Sequence, residues 1–222
     1  MLLLRPEGAR CALVLAHGAG AGMRHPFLEG MSRRLAAGGV ATLRYEFPYL
    51  EQGRRRPDPP SVLTAAVRSA VSDAHGIAGD LPIFAGGKSL GGRMTSTAAA
   101  ESPLPHVEGM LFLGFPLHPP GKPGTVRAEH LPKVGLPMLF LQGSRDAFAD
   151  LKHLGPICRA LGDRSTLHVV DGADHGFRVP RASGRTEGQV MDELAGVIIR
   201  WTDRVLALDH STPSTISEGR VH

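Results

Sequence analysis

The chain has 222 residues, 42% of them hydrophobic and 21% charged, a length and mixture that fit one globular domain with a substantial core. Its formal charge of +4 rests on 25 basic residues, of which only Lys88, Lys122, Lys133 and Lys152 are lysines. No dense basic stripe interleaves with aromatics and no apolar run approaches the length of a membrane span, so neither a nucleic acid nor a bilayer is an expected partner. Cys11 and Cys158 lie far apart in sequence, which fits free thiols in a reducing cytoplasm rather than a disulfide framework. The opening "MLLLRPEGAR" (1–10) is too short for the apolar core of a signal peptide.

Strands and helices alternate along the chain. "CALVLAHG" (11–18) is an apolar run stopped by glycine, and reads as a buried strand. "FLEGMSRRLAAGG" (27–39) carries apolar residues at helical spacing and ends in Gly-Gly. A second strand, "VATLRYEF" (40–47), meets Pro48, and 48–60 reads as a proline- and arginine-rich loop. Ser61 is the expected cap of a helix over 62–78. The strand "LPIFAGG" (81–87) then runs almost directly into a helix over 90–101. Strands over 107–115, 136–143 and 165–170 alternate with helices over 148–162 and 186–208. Pro156 is expected to start or kink the first of these two helices, and "DHSTPSTISEGRVH" (209–222) reads as a flexible tail after a single domain over 1–208. Short apolar strands alternating with helices imply a mostly parallel sheet covered on both faces. In such sheets ligands bind beyond the carboxyl ends of the strands, so residues there are the first candidates for chemistry.

One serine carries two overlaid signals in "FAGGKSLGGRM" (84–94). Gly87-Lys88-Ser89 could end a phosphate-binding loop, but the position that must hold its first glycine is Pro82, which has no N–H and a fixed φ. Gly87-Lys88-Ser89-Leu90-Gly91 also spells G-x-S-x-G between a strand and a helix. That turn lifts a serine hydroxyl clear of the sheet and aims a helix N-terminus at it, provided small residues let helix and strand pass closely. Gly87, Gly91 and Gly92 meet that condition.

A nucleophilic serine needs a base, and the base a carboxylate. Of eleven histidines, His175 in "VVDGADHGFRV" alone falls after the last strand and before the last helix. His75, His106, His130 and His153 read as surface residues. Asp146 follows the strand 136–143, whereas Asp150 falls inside the next helix and Asp174 suits a turn. The order is Ser89, Asp146, His175. An oxyanion hole would draw on the amide of Leu90 and on an amide of the glycine-rich loop "LAHGAGAGMRH" (15–25), for which Ala19 is the candidate.

These residues resemble the α/β-hydrolases, and among them the compact dienelactone-hydrolase-like group. "LAHGAGAGMRHPF" (15–27), "RYEFPY" (44–49), "RRRPDPP" (54–60), "GGKSLGGRM" (86–94) and "DGADHGF" (171–177) are similar, more narrowly, to bacterial relatives of the family that contains a testis-expressed protein and a subunit of a nuclear acetyltransferase complex. The resemblance implies an α/β-hydrolase fold and a Ser89–Asp146–His175 triad, and no defined substrate. The connection between the strands 107–115 and 136–143 leaves no room for a large lid. The expected activity is hydrolysis of a small carboxylic ester or thioester without metal or other cofactor. The alternative is a non-catalytic module of the same fold that binds other proteins. His17, Lys88 and Arg93 are candidates for substrate contact. Arg93 falls in the first turn of a helix, where the dipole disfavours a cation, and Glu46 is a candidate to offset it. With Lys88 and Arg93, the run Arg54-Arg55-Arg56 could make the mouth of the site positive.

Overall fold

The computed structural model describes residues 1–119 and 121–209; the tail expected from 209 onward lies, past its first residue, outside the described residues. The strands are β1 (Leu2–Leu4), β2 (Cys11–Ala16), β3 (Val40–Tyr45), β4 (Ile83–Lys88), β5 (Val107–Leu113), β6 (Met138–Gly143) and β7 (Ser165–Val170). They form a seven-stranded sheet in the order β1-β3-β2-β4-β5-β6-β7, parallel except for β1. The helices are α1 (Pro26–Ala37), α2 (Pro48–Glu51), α3 (Pro60–Ala78), α4 (Leu90–Glu101), α5 (Leu151–Leu161) and α6 (Glu187–Asp209).

The apolar strands are buried on both faces, because alternate side chains point to opposite sides of a pleated sheet. In β2, Ala12, Val14 and Ala16 face the core built with α3 and α4, while Cys11, Leu13 and Leu15 face the core built with α1 and α6. Trp201 of α6 packs edge-on against Phe84 of β4, their centroids 5.5 Å apart. The sequence gives no sign of β1: three leucines at the chain start pair antiparallel with Thr42–Arg44 and cover the free edge of β3.

Several boundaries differ from the sequence reading, each for a local reason. The loop expected over 48–60 begins with the one-turn helix α2, because Pro48 supplies the fixed φ that a first helical position favours. By the same effect α3 starts at Pro60 with Pro59 as its N-cap, so Ser61 is not the cap. Asp150 stands before α5 rather than inside it, and its carboxylate accepts from the Lys152 N–H at 2.8 Å. Pro156 does not start α5 but lies inside it.

Between β5 and β6 the described residues form only two 3₁₀ turns, Val126–Ala128 and Leu131–Lys133. Nothing longer folds over the carboxyl ends of the strands there. The chain runs from β2 to β3 on one side of the sheet and later to β4 on the other. The crevice of this sheet therefore opens at the ends of β2 and β4, where Gly18 and Ser89 meet.

Candidate active site

Ser89 links β4 to α4 without a spare residue, and its backbone pays for that with φ 50° and ψ −112°. A non-glycine residue in this region is strained by about 1–3 kcal/mol and persists only where its surroundings fix it. Here they do. The Ser89 N–H donates to the Leu113 carbonyl at 3.1 Å, and its own carbonyl accepts from the Arg93 N–H at 3.1 Å. Glycine lets the two elements close: a Cβ on Gly91 would stand 2.6 Å from the Ala16 carbonyl oxygen. The Leu90 amide, first of α4, has no partner within the helix. Ala19 lines the cavity beside Ser89, so both proposed oxyanion donors come from the segments that meet at the crevice.

His175 lies on the loop after β7. Its Nε2 is 2.8 Å from Ser89 Oγ, and its Nδ1 is 2.7 Å from Asp146 Oδ2. A carboxylate only accepts, so Nδ1 carries the proton and Nε2 is left to accept from the serine hydroxyl. Gly143 permits this approach, since a Cβ there would stand 2.3 Å from the Ala173 carbonyl oxygen. Asp174 shapes the same loop as a turn residue: its Oδ1 accepts from the amides of Gly176 at 2.8 Å and Arg178 at 2.9 Å.

Asp146 is buried and fully partnered. Its Oδ1 accepts from the Phe148 amide at 2.8 Å, and its Oδ2 accepts from Gln142 Nε2 at 2.5 Å as well as from His175. Gln142 has no solvent exposure, and its Oε1 accepts from the Phe115 amide at 2.9 Å. The sequence reading missed it; the only trace is a glutamine at the end of an apolar strand. Gln142→Leu leaves the Phe115 N–H buried without an acceptor. We expect it to lose about 1–3 kcal/mol in chemical denaturation, whereas Gln142→Glu should lose more by facing Asp146 with a like charge.

His17 does not reach the cavity, contrary to its reading as a substrate contact. It is wholly buried, with Nδ1–H donating to the Gly18 carbonyl at 2.8 Å and Nε2 accepting from the Phe47 amide at 3.0 Å. Burial lowers its pKa and keeps the ring neutral, as this bonding pattern requires. Its work is to fix the loop after β2. Glu46 does the same from the other side, accepting from the Met23 amide at 3.2 Å. It therefore does not offset Arg93. Arg54, Arg55 and Arg56 are exposed and do not line the cavity, where Arg127 and Arg178 appear instead. His130 is not a surface residue either. It bonds Ser96 Oγ at 2.8 Å, and burial pushes its pKa down to about 4. Ser96 is buried inside α4, donates to the Arg93 carbonyl and has no face on the cavity, so this second Ser–His pair lacks access to a substrate.

Lys88 lines the cavity, and its Nζ donates to the His175 carbonyl oxygen between the rings of Phe27 and Phe177. Burial lowers its pKa from 10.5 to about 8, with Asp146 and Asp174 opposing. The unfolded chain keeps this proton up to about pH 10.5, so folding releases it between the two values. The resulting stability is fully present above pH 10.5 and is lost as pH falls through about 8. Urea unfolding between pH 7.5 and 10 should show wild-type stability rising with pH relative to Lys88→Met; parallel curves would refute the buried cation.

The cavity above these groups holds about 850 Å³ and is walled by Phe27, Pro57, Leu63, Pro116 and Phe148, among others. That volume suits a small organic ligand. Among the described residues no three His, Cys, Asp or Glu side chains converge to hold a metal, and no helix is long and apolar enough to cross a membrane.

A lidless α/β sheet with a strained serine turn at its crevice is the architecture of an α/β-hydrolase. Residues 9–203 match the alpha/beta hydrolase domain family, and the chain belongs to it. Its structure is similar to that of an alpha-beta serine hydrolase homologue from Coxiella burnetii, over 90% of this chain and 89% of that one, with a TM-score of 0.70 and 19% identity. It is equally similar to dienelactone hydrolase from Anabaena variabilis, over 91% of this chain and 89% of that one, with a TM-score of 0.70 and 22% identity. A serine hydrolase without a lid from Xanthomonas campestris matches over 91% of this chain and 87% of its own, with a TM-score of 0.69 and 16% identity. At these identities the likeness is one of fold.

Proposed function

We propose that this chain is a serine hydrolase of small carboxylic esters or thioesters, acting through a covalent acyl-enzyme. The observation that carries the reading is the hydrogen-bonded row Ser89 Oγ–His175 Nε2–Asp146 Oδ2, set on a strained turn beside an open cavity. Ser89 Oγ attacks the substrate carbonyl while His175 Nε2 takes its proton. The tetrahedral oxyanion is held by the amides of Leu90 and Ala19 and by the N-terminal end of α4. Collapse expels the alcohol or thiol, which receives the proton from His175. Water then repeats the sequence on the acyl-serine and releases the acid. Asp146 keeps Nδ1 protonated and stabilises the imidazolium that forms in each half.

The narrower kinship with the testis-expressed and acetyltransferase-subunit relatives belongs to this proposal, as does a reading of 1–208 as a single domain around one sheet. Both cysteines are free and buried, which supports a reducing, cytoplasmic setting. The test is intact-mass analysis after exposure to a fluorophosphonate. Wild type should gain one adduct that Ser89→Ala and His175→Ala both lack. A folded wild type that gains none overturns the proposal and leaves the fold as a binding module.

A further inference from the structure

Arg93 has an unusual position for a cation. It sits one turn into α4, its amide bonded to the Ser89 carbonyl, at the helix end where the dipole disfavours positive charge. Its Nε is shut off from solvent without a hydrogen-bond partner, and among the described residues no carboxylate pairs with its guanidinium. A charge that acts on it is another cation, Arg127, whose Nη1 is tied to the His118 carbonyl at 2.9 Å. Burial and that like charge together lower the Arg93 pKa to about 10. Both arginines line the same cavity as Ser89 and His175.

The acids near them make their recorded bonds to other groups. Asp58 pairs with Arg54 at 2.7 Å, Asp174 spends Oδ1 on two backbone amides, and Glu46 holds the Met23 amide. Lys88 is likewise committed to the His175 carbonyl. Arg93 and Arg127 thus line the cavity of the nucleophile, as Arg178 does, and among the described residues neither is joined by an ion pair to Asp58, Asp174 or Glu187, the carboxylates that share that lining. Guanidinium forks bind carboxylate and phosphate oxygens with matched geometry.

We propose that Arg93 and Arg127 form an anion subsite for a carboxylate or phosphate on the ester or thioester that Ser89 attacks. Arg93 is the fourth residue after Ser89, and four steps of helix rise about 6 Å. The anionic group therefore lies a few bonds from the scissile carbonyl, as in a monoester of a short dicarboxylic acid or a short phosphorylated acyl group. The identity of that carbonyl rests on the hydrolase reading above; the anion subsite itself can be tested without turnover.

The experiment is calorimetric titration of the Ser89→Ala protein at fixed ionic strength with glutarate, inorganic phosphate and neutral glutaramide. Glutarate or phosphate should bind and glutaramide should not; the tighter of the two anions identifies the group. Adding Arg93→Met should weaken anion binding at least tenfold. Arg127→Met, farther from the core of α4, gives the same reading should Arg93→Met fail to fold. No anion binding, equal binding of glutaramide, or affinity indifferent to both arginine substitutions overturns the subsite. Fluorophosphonate labelling of wild type reports separately on Ser89, so a labelled protein that ignores anions loses the subsite alone. With active enzyme, the ratio of kcat/KM for p-nitrophenyl hemiglutarate over p-nitrophenyl butyrate should fall at least tenfold in Arg93→Met.

Discussion

Ser89→Ala and His175→Ala are each expected to lower kcat on a short p-nitrophenyl ester by about 10⁴–10⁶-fold, and the double variant by little more. In the proposed mechanism the groups act as one proton relay, so removing either end removes the whole. Asp146→Asn should fall by about 10⁴-fold, because an amide donating toward Nδ1 turns the imidazole to the tautomer that cannot accept from Ser89. The residual rate of each variant measures what the proposed Leu90 and Ala19 amides contribute together with substrate binding. Steady-state kinetics on variants of verified fold decides the matter. Additive losses in the double variant would mean that Ser89 and His175 do not act together. The same position also separates activity from stability. Ser89 is held at φ 50°, which glycine adopts without cost. Ser89→Gly should be inactive yet unfold at a temperature no lower than wild type, with a gain of about 1 kcal/mol from released strain.

The sequence made this turn legible because its demands are local. G-x-S-x-G between an apolar strand and a helix fixes the geometry of five consecutive residues, and the serine's place follows. His175 and Asp146 were legible for a different reason: in a parallel sheet, chemistry gathers at the carboxyl ends of strands, so chain position narrows eleven histidines to one. What escaped notice depends on side chains from distant segments. Gln142 looks like an ordinary strand residue until the Phe115 amide and Asp146 are seen to share it. His17 precedes the glycines of the loop after β2 and yet turns inward, because the Phe47 amide, just past β3, claims its ring.

Charge was the least legible feature. The conspicuous triplet Arg54-Arg55-Arg56 is a solvated stretch, while the arginines that join Arg93 at the cavity are Arg127, isolated in sequence on a 3₁₀ turn, and Arg178, on the loop after β7. A run of like charges signals solvation, since the chain has no means of burying it. The small strand β1 shows the same limit for the fold: three leucines carry no periodicity of their own and acquire a role only against the edge of β3.

Gly86→Ala is expected to have the largest effect on stability. Gly86 pairs with Leu111 across β4 and β5 in the middle of the sheet. A Cβ there would stand 2.0 Å from the Leu111 carbonyl oxygen, with the carbon and nitrogen of the same residue at 2.9 and 3.0 Å. These are backbone atoms fixed by the ladder, so relief requires parting the two strands. A flexible neighbour would be cheaper: a Cβ on Gly109 meets the tip of the Trp201 ring at 2.7 Å, and a side chain can move. The same parting would displace Ser89, three residues on, from His175. Gly86→Ala should therefore lose more than about 4 kcal/mol, a large part of the 5–15 kcal/mol by which a domain is stable. That corresponds to a fall of roughly 8–16 °C in thermal midpoint for a chain of this size. Gly76→Ala is the matched control. Gly76 lies in the exposed surface of α3 with nothing within 4 Å of an added Cβ, so alanine there should stabilise by about 0.5–1 kcal/mol. Scanning calorimetry of the two variants beside wild type reads both signs at once. If Gly86→Ala unfolds near the wild-type temperature, the close pairing of β4 with β5 beneath the serine turn is not the one described.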